Sequence, residues 1–247
     1  MLKLLICEFK KFKNTYINSL SFLGMLFPTI LVALMFLVRK ADFVRNHSYD
    51  WSCFNSQVMV LFVFLIGPII TSFIAVFSVF YEYQEKTMKN ILSSPNSRTK
   101  IILTKIIYVS LFVLLQYAIV AILNVLFGML FRFADLTPVV ALQSSMGMIA
   151  AGFTTIILVP LMIFITLICK NFIPPLVLTV IGTISNALLL NWEKSYLSPW
   201  ANPANFVFIL NKTSDMNIIY PLVYSGIYFI LFMALMLVYF NKADQSI

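Results

Sequence analysis

The sequence predicts an all-α integral membrane protein with six transmembrane helices, an N-terminal interfacial amphipathic helix and a short cytoplasmic helix between spans two and three. Of the 247 residues, 61% are hydrophobic and only 11% are charged, and the mean hydropathy is +0.96. A soluble domain needs more polar surface than this composition supplies. Six apolar runs are long enough for a hydrocarbon core of about 30 Å, which takes about 20 helical residues.

The six predicted spans follow one another in a single transmembrane domain, residues 1–247. They comprise residues 20–38, 58–80, 106–131, 139–169, 172–191 and 218–240. The third and fourth runs exceed the length needed to cross, which indicates tilt or extension beyond the bilayer. Prolines at positions 28, 68, 160 and 221 lie inside these runs, where we expect kinks because neighbouring helices can satisfy the freed carbonyl groups.

The basic residues predict the orientation of the chain. Eleven basic and four acidic residues lie on the side that holds the N-terminus, against six basic and five acidic residues in the opposite loops. Because the more basic side is retained in the cytoplasm, both termini are expected there. The net charge of +8 then reflects topology and anionic lipid contact, and it indicates no nucleic-acid partner.

Residues 1–19 form an amphipathic pattern before the first span. Five apolar residues recur at helical spacing: Leu2, Leu5, Phe9, Phe12 and Tyr16. Lysines lie largely on the other sides, which is typical of a helix that lies in the membrane plane. This helix serves either as a topological anchor or as a mechanical element.

Several function classes are disfavoured by what the chain contains. One histidine and three scattered cysteines offer no set of zinc ligands, and we expect no metal site. Paired carboxylates and a Ser/His constellation are also lacking at membrane depth, which argues against a membrane enzyme. No Asp, Glu, Lys, Arg or His lies in the middle of a span. Ion-coupled carriers usually need such groups, so an external energy source fits better.

The segment between the second and third spans, residues 81–98, has the most informative pattern. A helix up to Pro95 would place Thr87, Ile91 and Leu92 on one side and charged residues on the others, and Pro95 would end it. A short amphipathic helix at this place is able to dock into the groove of a partner protein. The alternative is a solvated loop that balances charge for topology.

The same segment resembles the one after span two of ABC-2 type transporter permeases. Five residues match in order and spacing: Glu82, Thr87, Leu92, Pro95 and Arg98. Where the family pattern has Gly-Thr-Leu, this chain has Lys86 at the glycine and Met88 at the leucine. The amphipathic N-terminus, the six spans and the longer segment between spans five and six also fit, so the resemblance extends over nearly the whole chain.

The resemblance implies that this segment is a coupling helix, which contacts a separate ATPase subunit and transmits closure of its ATP-bound dimer to the spans. The implied contact residues are Glu82, Glu85, Lys86, Thr87, Lys89, Ile91, Leu92, Pro95 and Arg98. No G-x-x-x-x-G-K-[ST] motif occurs among the seven glycines. ATP and Mg²⁺ are therefore expected in the partner, and this chain itself is expected to be no enzyme and to bind no cofactor. The complex would hold two ATPase subunits and a second permease subunit, expected to be identical.

The opening residues, Met-Leu-Lys-Leu-Leu-Ile-Cys-Glu-Phe-Lys-Lys-Phe-Lys, resemble those of bacitracin-resistance and lantibiotic-immunity permeases. This narrower resemblance implies a bacterial cell membrane and resistance to a peptide antibiotic, with a peptide or a lipid-associated molecule as substrate. The alternative function is an ATP-independent secondary carrier or channel.

Two further groups of residues are candidates for contact with a substrate. Five uncharged polar residues lie within spans: Gln116, Asn124, Gln143, Thr154 and Asn186. They either line a substrate path or hold helices together by hydrogen bonds. The external segment, residues 192–217, is rich in aromatic residues, including Trp192, Tyr196, Trp200 and Phe206. It is predicted to be a re-entrant or interfacial segment that anchors the chain at the bilayer surface or contacts the substrate.

Overall fold

A computed structural model describes residues 1–13, 15–38, 40, 49–88, 97–133, 135–189, 192, 194–211, 214 and 216–242. Within these ranges, five helical stretches are long and apolar enough to cross a membrane: Tyr16–Val38, Trp51–Gln84, Arg98–Phe131, Pro138–Cys169 and Ile219–Lys242. A shorter apolar helix, Ile173–Leu189, has 17 residues and is about 25 Å long, slightly less than the hydrocarbon core. The chain is a multi-pass membrane protein, and the crossing by this last helix stays a prediction.

The regular elements are all helical in the described parts of the chain. The principal helices are α1 (Leu2–Lys13), α2 (Tyr16–Val38), α3 (Trp51–Met59), α4 (Gly67–Gln84), α5 (Arg98–Phe131), α6 (Pro138–Thr155), α7 (Leu158–Cys169), α8 (Ile173–Leu189), α9 (Asn202–Leu210) and α10 (Ile219–Lys242). A π-helix joins α3 to α4, and a short 3₁₀ turn, Ser195–Leu197, precedes α9.

The second long stretch contains the π-helix, Val60–Ile66. At its end the Gly67 amide donates to Phe62 O, five residues back, as a π-helix requires. Pro68 follows directly in α4, and because it lacks an N–H it donates no hydrogen bond to the preceding π-helix. The predicted irregularity near Pro68 is thus a widened turn of helix.

The fourth long stretch is interrupted between α6 and α7. Ile156 and Ile157 form a turn there, and Pro160 lies in the first turn of α7. A proline ring excludes the carbonyl four residues earlier from the helical ladder, which accounts for the interruption at Ile156.

One side of helix α1 packs against the bundle, and another side is exposed. Phe12 is buried, and its ring centroid lies 4.7 Å from that of Tyr108 in α5. Phe9 meets the same tyrosine edge-on at 4.9 Å, whereas Leu2 and Ile6 are exposed. The predicted continuous pattern over residues 1–19 divides, because α1 ends at Lys13 and α2 begins at Tyr16.

The centre of the bundle is formed by α4, α5 and the helices around them. Large buried side chains include Phe36, Phe54, Phe62, Tyr117 and Tyr108. In contrast, α2, α8 and α10 present rows of exposed apolar side chains. Such a surface is stable only when lipid or another apolar partner covers it.

Candidate functional site

The candidate site is the region where α4 ends. The Thr87 amide donates to Glu82 O at 3.0 Å and the Lys86 amide to Tyr83 O at 3.1 Å, the paired bonds of a Schellman motif. Lys86 has a positive φ of 54°, a conformation that favours glycine. The helix predicted up to Pro95 is therefore interrupted here, since α4 ends at Gln84. Met88 is helical again, and residues 89–96 lie outside the described residues.

Four charged residues from three helices meet beside this turn, and we call them the ion cluster: Glu8 and Lys11 of α1, Glu82 of α4 and Lys105 of α5. The Lys105 Nζ donates to Glu82 Oε1, to Glu8 Oε1 at 2.9 Å and to Ser78 O at 2.8 Å. The Lys11 Nζ donates to Glu82 Oε1 at 3.1 Å. The cluster thus ties the N-terminal helix to the cytoplasm-facing ends predicted for spans two and three.

The ion cluster is shielded from solvent and formally neutral. The side chains of Lys105 and Glu82 are 2% and 3% exposed, and those of Glu8 and Lys11 are 13% and 18% exposed. Burial, followed by the nearby Lys105 ammonium, lowers the pKa of Lys11, and the Glu82 and Glu8 carboxylates act in the opposite direction. Charges buried in this way are stable only as a set, because loss of one partner leaves another unpaired.

A cavity of about 320 Å³ lies against the ion cluster. It is lined by Leu4, Cys7, Glu8, Lys11, Tyr81, Glu82, Thr87, Ile101 and Thr104. Two carboxylate oxygens, Glu8 Oε2 and Glu82 Oε2, are buried and accept no hydrogen bond from any described residue. The cavity thus lies beside two buried carboxylate oxygens without hydrogen bonds, next to the segment that the sequence predicts to be the coupling helix.

The predicted ATPase-contact residues differ in their accessibility. Glu82 is only 2% exposed and points into the ion cluster, so its side chain is not on the surface. Glu85 and Lys86 are exposed and Thr87 is half-buried. Arg98 is half-buried, with its Nη1 3.5 Å from Asn241 O at the end of α10. The remaining four lie outside the described residues: Lys89, Ile91, Leu92 and Pro95.

Most of the polar residues predicted within spans make contacts between or within helices. Asn124 Nδ2 donates to Asn55 Oδ1 at 2.6 Å, Gln143 Nε2 to Leu210 O at 2.7 Å and Asn186 Nδ2 to Trp200 O at 3.1 Å. Thr154 donates to carbonyl groups of its own helix. Gln116 is fully buried, and neither of its amide atoms has a partner in the described part of the chain. The structure does not bring these five residues together in one cavity.

The predicted external segment packs on α8 and on the start of α10. Trp200 lies against Gly182 so closely that a Cβ there would lie 2.4 Å from the indole ring. Tyr196 stacks on Tyr220 at 5.2 Å, and Phe206 is 7% exposed. Trp192 is 47% exposed. Among the four aromatic residues singled out from the sequence, Trp192 has the most accessible side chain.

Glu8 and Lys105 are site residues that the sequence alone did not reveal. Lys105 follows Ile102 and precedes Val109, both buried, so it stands within the apolar stripe of α5. A lysine in such a stripe signals a buried carboxylate partner. Its partner Glu8 is 97 residues away in the chain, so the pairing itself needs the fold. Within the described residues, no three metal-ligating side chains cluster.

Comparisons with known proteins agree with the resemblance of the coupling segment. A family model for "ABC-2 family transporter protein" matches residues 4–186. Over 146 residues the chain is 30% identical to the bacitracin transport permease protein BCRB of Bacillus licheniformis, covering 59% of this chain and 70% of that protein. No solved structure matches. The chain therefore belongs to the ABC-2 family of transporter permeases and resembles the permeases of bacitracin-resistance transporters.

Proposed function

We propose that this chain is the membrane subunit of an ATP-driven exporter and that the ion cluster connects the ATPase-facing segment to the spans. The supporting observation is that Lys105 and Lys11 join α1, α4 and α5 through the single carboxylate of Glu82. The segment predicted to meet the ATPase, residues 81–98, includes Glu82. A displacement of that segment would therefore be transmitted to α1, α4 and α5 together.

In this proposal the coupling residues have two separate roles. Glu82 acts as a positioning residue inside the protein, because its side chain is buried. Glu85, Lys86 and Arg98 are the described residues that would contribute to the contact with the ATPase. Two ATPase subunits would bind a pair of identical permeases, with six spans in each permease and both termini in the cytoplasm.

The cargo that we propose is a peptide antibiotic such as bacitracin or a lantibiotic. The support comes from the relative named as a bacitracin transport permease and from the predicted spans, whose middles carry no charged residues. Spans without titratable groups suit an amphipathic or lipid-associated molecule. Expulsion of the peptide and release of its target at the outer leaflet are both compatible with this role.

The test is ATP hydrolysis by the complex in nanodiscs. We expect Arg98→Ala and the charge-balanced double variant Glu82→Gln with Lys105→Met to reduce substrate-stimulated ATP hydrolysis, while membrane insertion and recovery of the permease are retained. Lys100→Ala is the matched control, since Lys100 is exposed and lies near the start of the same helix as Arg98. Normal stimulation in both test variants would show that this region does not couple the two subunits.

A second experiment separates the exporter from the carrier or channel. The chain is purified from membranes of its own cells, and the accompanying proteins are identified by mass spectrometry. A P-loop ATPase in stoichiometric amount supports the proposal. Transport of the peptide by liposomes that contain only this chain, without ATP, would refute it.

A further inference from the structure

A second polar site lies at the opposite end of the bundle from the ion cluster, where α3 and α6 begin and α9 ends. A cavity of about 170 Å³ is lined there by polar side chains, including those of Trp51, Asn55, Ser56, Gln143, Ser144 and Asn211. We call it the Trp51 pocket. Pockets for whole drug-sized ligands are about 300–1,000 Å³, so this one has room for part of a larger molecule.

Hydrogen bonds fix the walls of the Trp51 pocket and leave some polar atoms unused. Asn55 accepts from Asn124 at 2.6 Å, and the Asn211 amide nitrogen lies 3.3 Å from the sulfur of Met59. Gln143 uses its amide nitrogen on Leu210 O, and its Oε1 accepts no bond from the described residues. The pocket therefore presents carbonyl acceptors that are already oriented.

Trp51 supplies an unused donor. It is 1% exposed, and its indole N–H has no partner among the described residues. The opposite edge of the ring, Cε3 and Cζ3, lies against Gly128 of α5, so the nitrogen edge faces away from α5. A buried N–H without a partner costs about 1–3 kcal/mol, which a ligand acceptor would offset.

The charge distribution around the Trp51 pocket disfavours an anionic ligand. The free amides at the start of α3 would attract an anion, but carboxylates already occupy them. Asp135 accepts from the Trp51 amide at 2.8 Å and from the Ser52 amide at 3.3 Å, and Asp50 accepts from the Cys53 amide at 2.9 Å. A ligand phosphate or carboxylate would meet two like charges there.

We propose that the Trp51 pocket binds one neutral amide group of the peptide substrate, either a backbone peptide unit or a side-chain carboxamide. An amide presents one acceptor to the indole N–H and donors to the oriented carbonyl groups within the size of the cavity. The assignment of this amide to a transported peptide, and of the pocket to the outer side of the membrane, rests on the proposed function. The pocket itself is tested without the ATPase.

The experiment measures tryptophan emission of the purified full chain in nanodiscs during titration with N-acetylglycinamide. The anionic N-acetylglycine and the cationic glycinamide serve as comparison probes. We expect a saturable change with the neutral amide alone, and its disappearance in Trp51→Phe, which assigns the signal to this residue. A signal that persists in Trp51→Phe, equal responses to the three probes or a lack of saturation would overturn the proposal.

Two leucine substitutions provide a matched pair for the same titration. Ser144 is buried and lines the pocket, whereas Ser145 does not line it, and both hydroxyls donate to Ala141 O. Ser144→Leu is expected to abolish the saturable response and Ser145→Leu to retain it. If Ser144→Leu does not fold, Ser56→Leu at an exposed position of the pocket wall replaces it. Equal responses in the matched variants would refute the assignment.

The two proposals fail in different ways. Binding of the amide without ATP-coupled export would support the pocket proposal and refute the exporter proposal. Export without amide binding would support the exporter proposal and refute the pocket proposal, and the cavity would then hold only water.

Discussion

Lys86 is the residue whose conformation most clearly departs from what its side chain favours. It occupies the left-handed position of the Schellman motif, with φ at 54°, which costs a non-glycine residue roughly 1 kcal/mol. The family pattern that the segment resembles has glycine at this position. Because lysine replaces glycine here, the sequence lacks the usual signal for the end of α4.

We expect Lys86→Gly to raise the free energy of unfolding by about 0.5–1 kcal/mol, because glycine adopts this conformation without strain. Lys86→Ala removes the same charge and keeps the strain, so it should show little of the gain. Reversible unfolding in mixed micelles measures both. Equal stabilisation by alanine and glycine would mean that charge, and not backbone conformation, determines the effect.

Lys105 is the residue on which the ion cluster depends most. Lys105→Met should lower the free energy of unfolding by about 3–5 kcal/mol, because it leaves Glu8 and Glu82 with one cation between them in a buried site. Lys100→Met, an exposed control earlier in α5, should change it by less than about 0.5 kcal/mol. The same unfolding assay applies.

A double variant distinguishes loss of charge balance from loss of packing. Lys105→Met combined with Glu82→Gln leaves the Glu8 and Lys11 pair and restores neutrality. It should be more stable than Lys105→Met alone, since the uncompensated charge is gone. No recovery would assign the cost of Lys105→Met to packing.

At the scale of elements, close helix contacts depend on glycines that lie beneath aromatic rings. A Cβ on Gly128 would lie 2.3 Å from Trp51, whereas one on Gly226 in α10 would meet nothing within 4 Å. Gly128→Ala should therefore destabilise the protein by about 1–3 kcal/mol through overpacking. Gly226→Ala, the control, should be neutral or stabilising by up to about 1 kcal/mol. Thermal unfolding in one detergent compares the two, and equal effects would contradict the close approach of α3 to α5.

The helical elements themselves were predictable because hydrophobicity along the chain is a local property. The predicted runs 20–38 and 139–169 lie within 4 residues of the observed boundaries, Tyr16–Val38 and Pro138–Cys169. The observed second stretch, Trp51–Gln84, is longer than the predicted run 58–80. The polar residues at its start, such as Asn55, are helical because they are buried in contacts with other helices. Such contacts join residues far apart in the chain and have no local signal.

The same distinction explains the candidate site. The sequence pattern drew attention to Glu82, but nothing local to it shows that Glu8 and Lys105 lie beside it. The exposure of Glu82 also differs from the expectation, because a charge next to a predicted loop is expected in water and Glu82 is 2% exposed. For the polar residues within the spans, the sequence left open a substrate path or helix packing. The hydrogen bonds that Asn124, Gln143 and Asn186 donate agree with helix packing.

At the scale of the whole molecule, the proposed topology can be read from cysteine accessibility. Cys7 and Cys169 are exposed and lie on the side that the basic residues place in the cytoplasm. In intact cells, a membrane-impermeant maleimide should leave variants that keep only one of these cysteines unlabelled, and permeabilisation should make them reactive. Lys194→Cys in a cysteine-free background is the external control and should react in both conditions. Labelling of Cys169 in intact cells would invert the assignment.

The π-helix at residues 60–66 sets the angular relation between the two ends of span two. One extra residue in a helix rotates the part beyond it by about 100° about the helix axis. Asn55 can therefore face Asn124 while Glu82 faces Lys105 only if the extra residue is present. Removal of one residue within 60–66 should regularise the span and carry Asn55 away from Asn124. A widened turn within span two is thus what lets a single helix keep its bonds to partners at both of its ends.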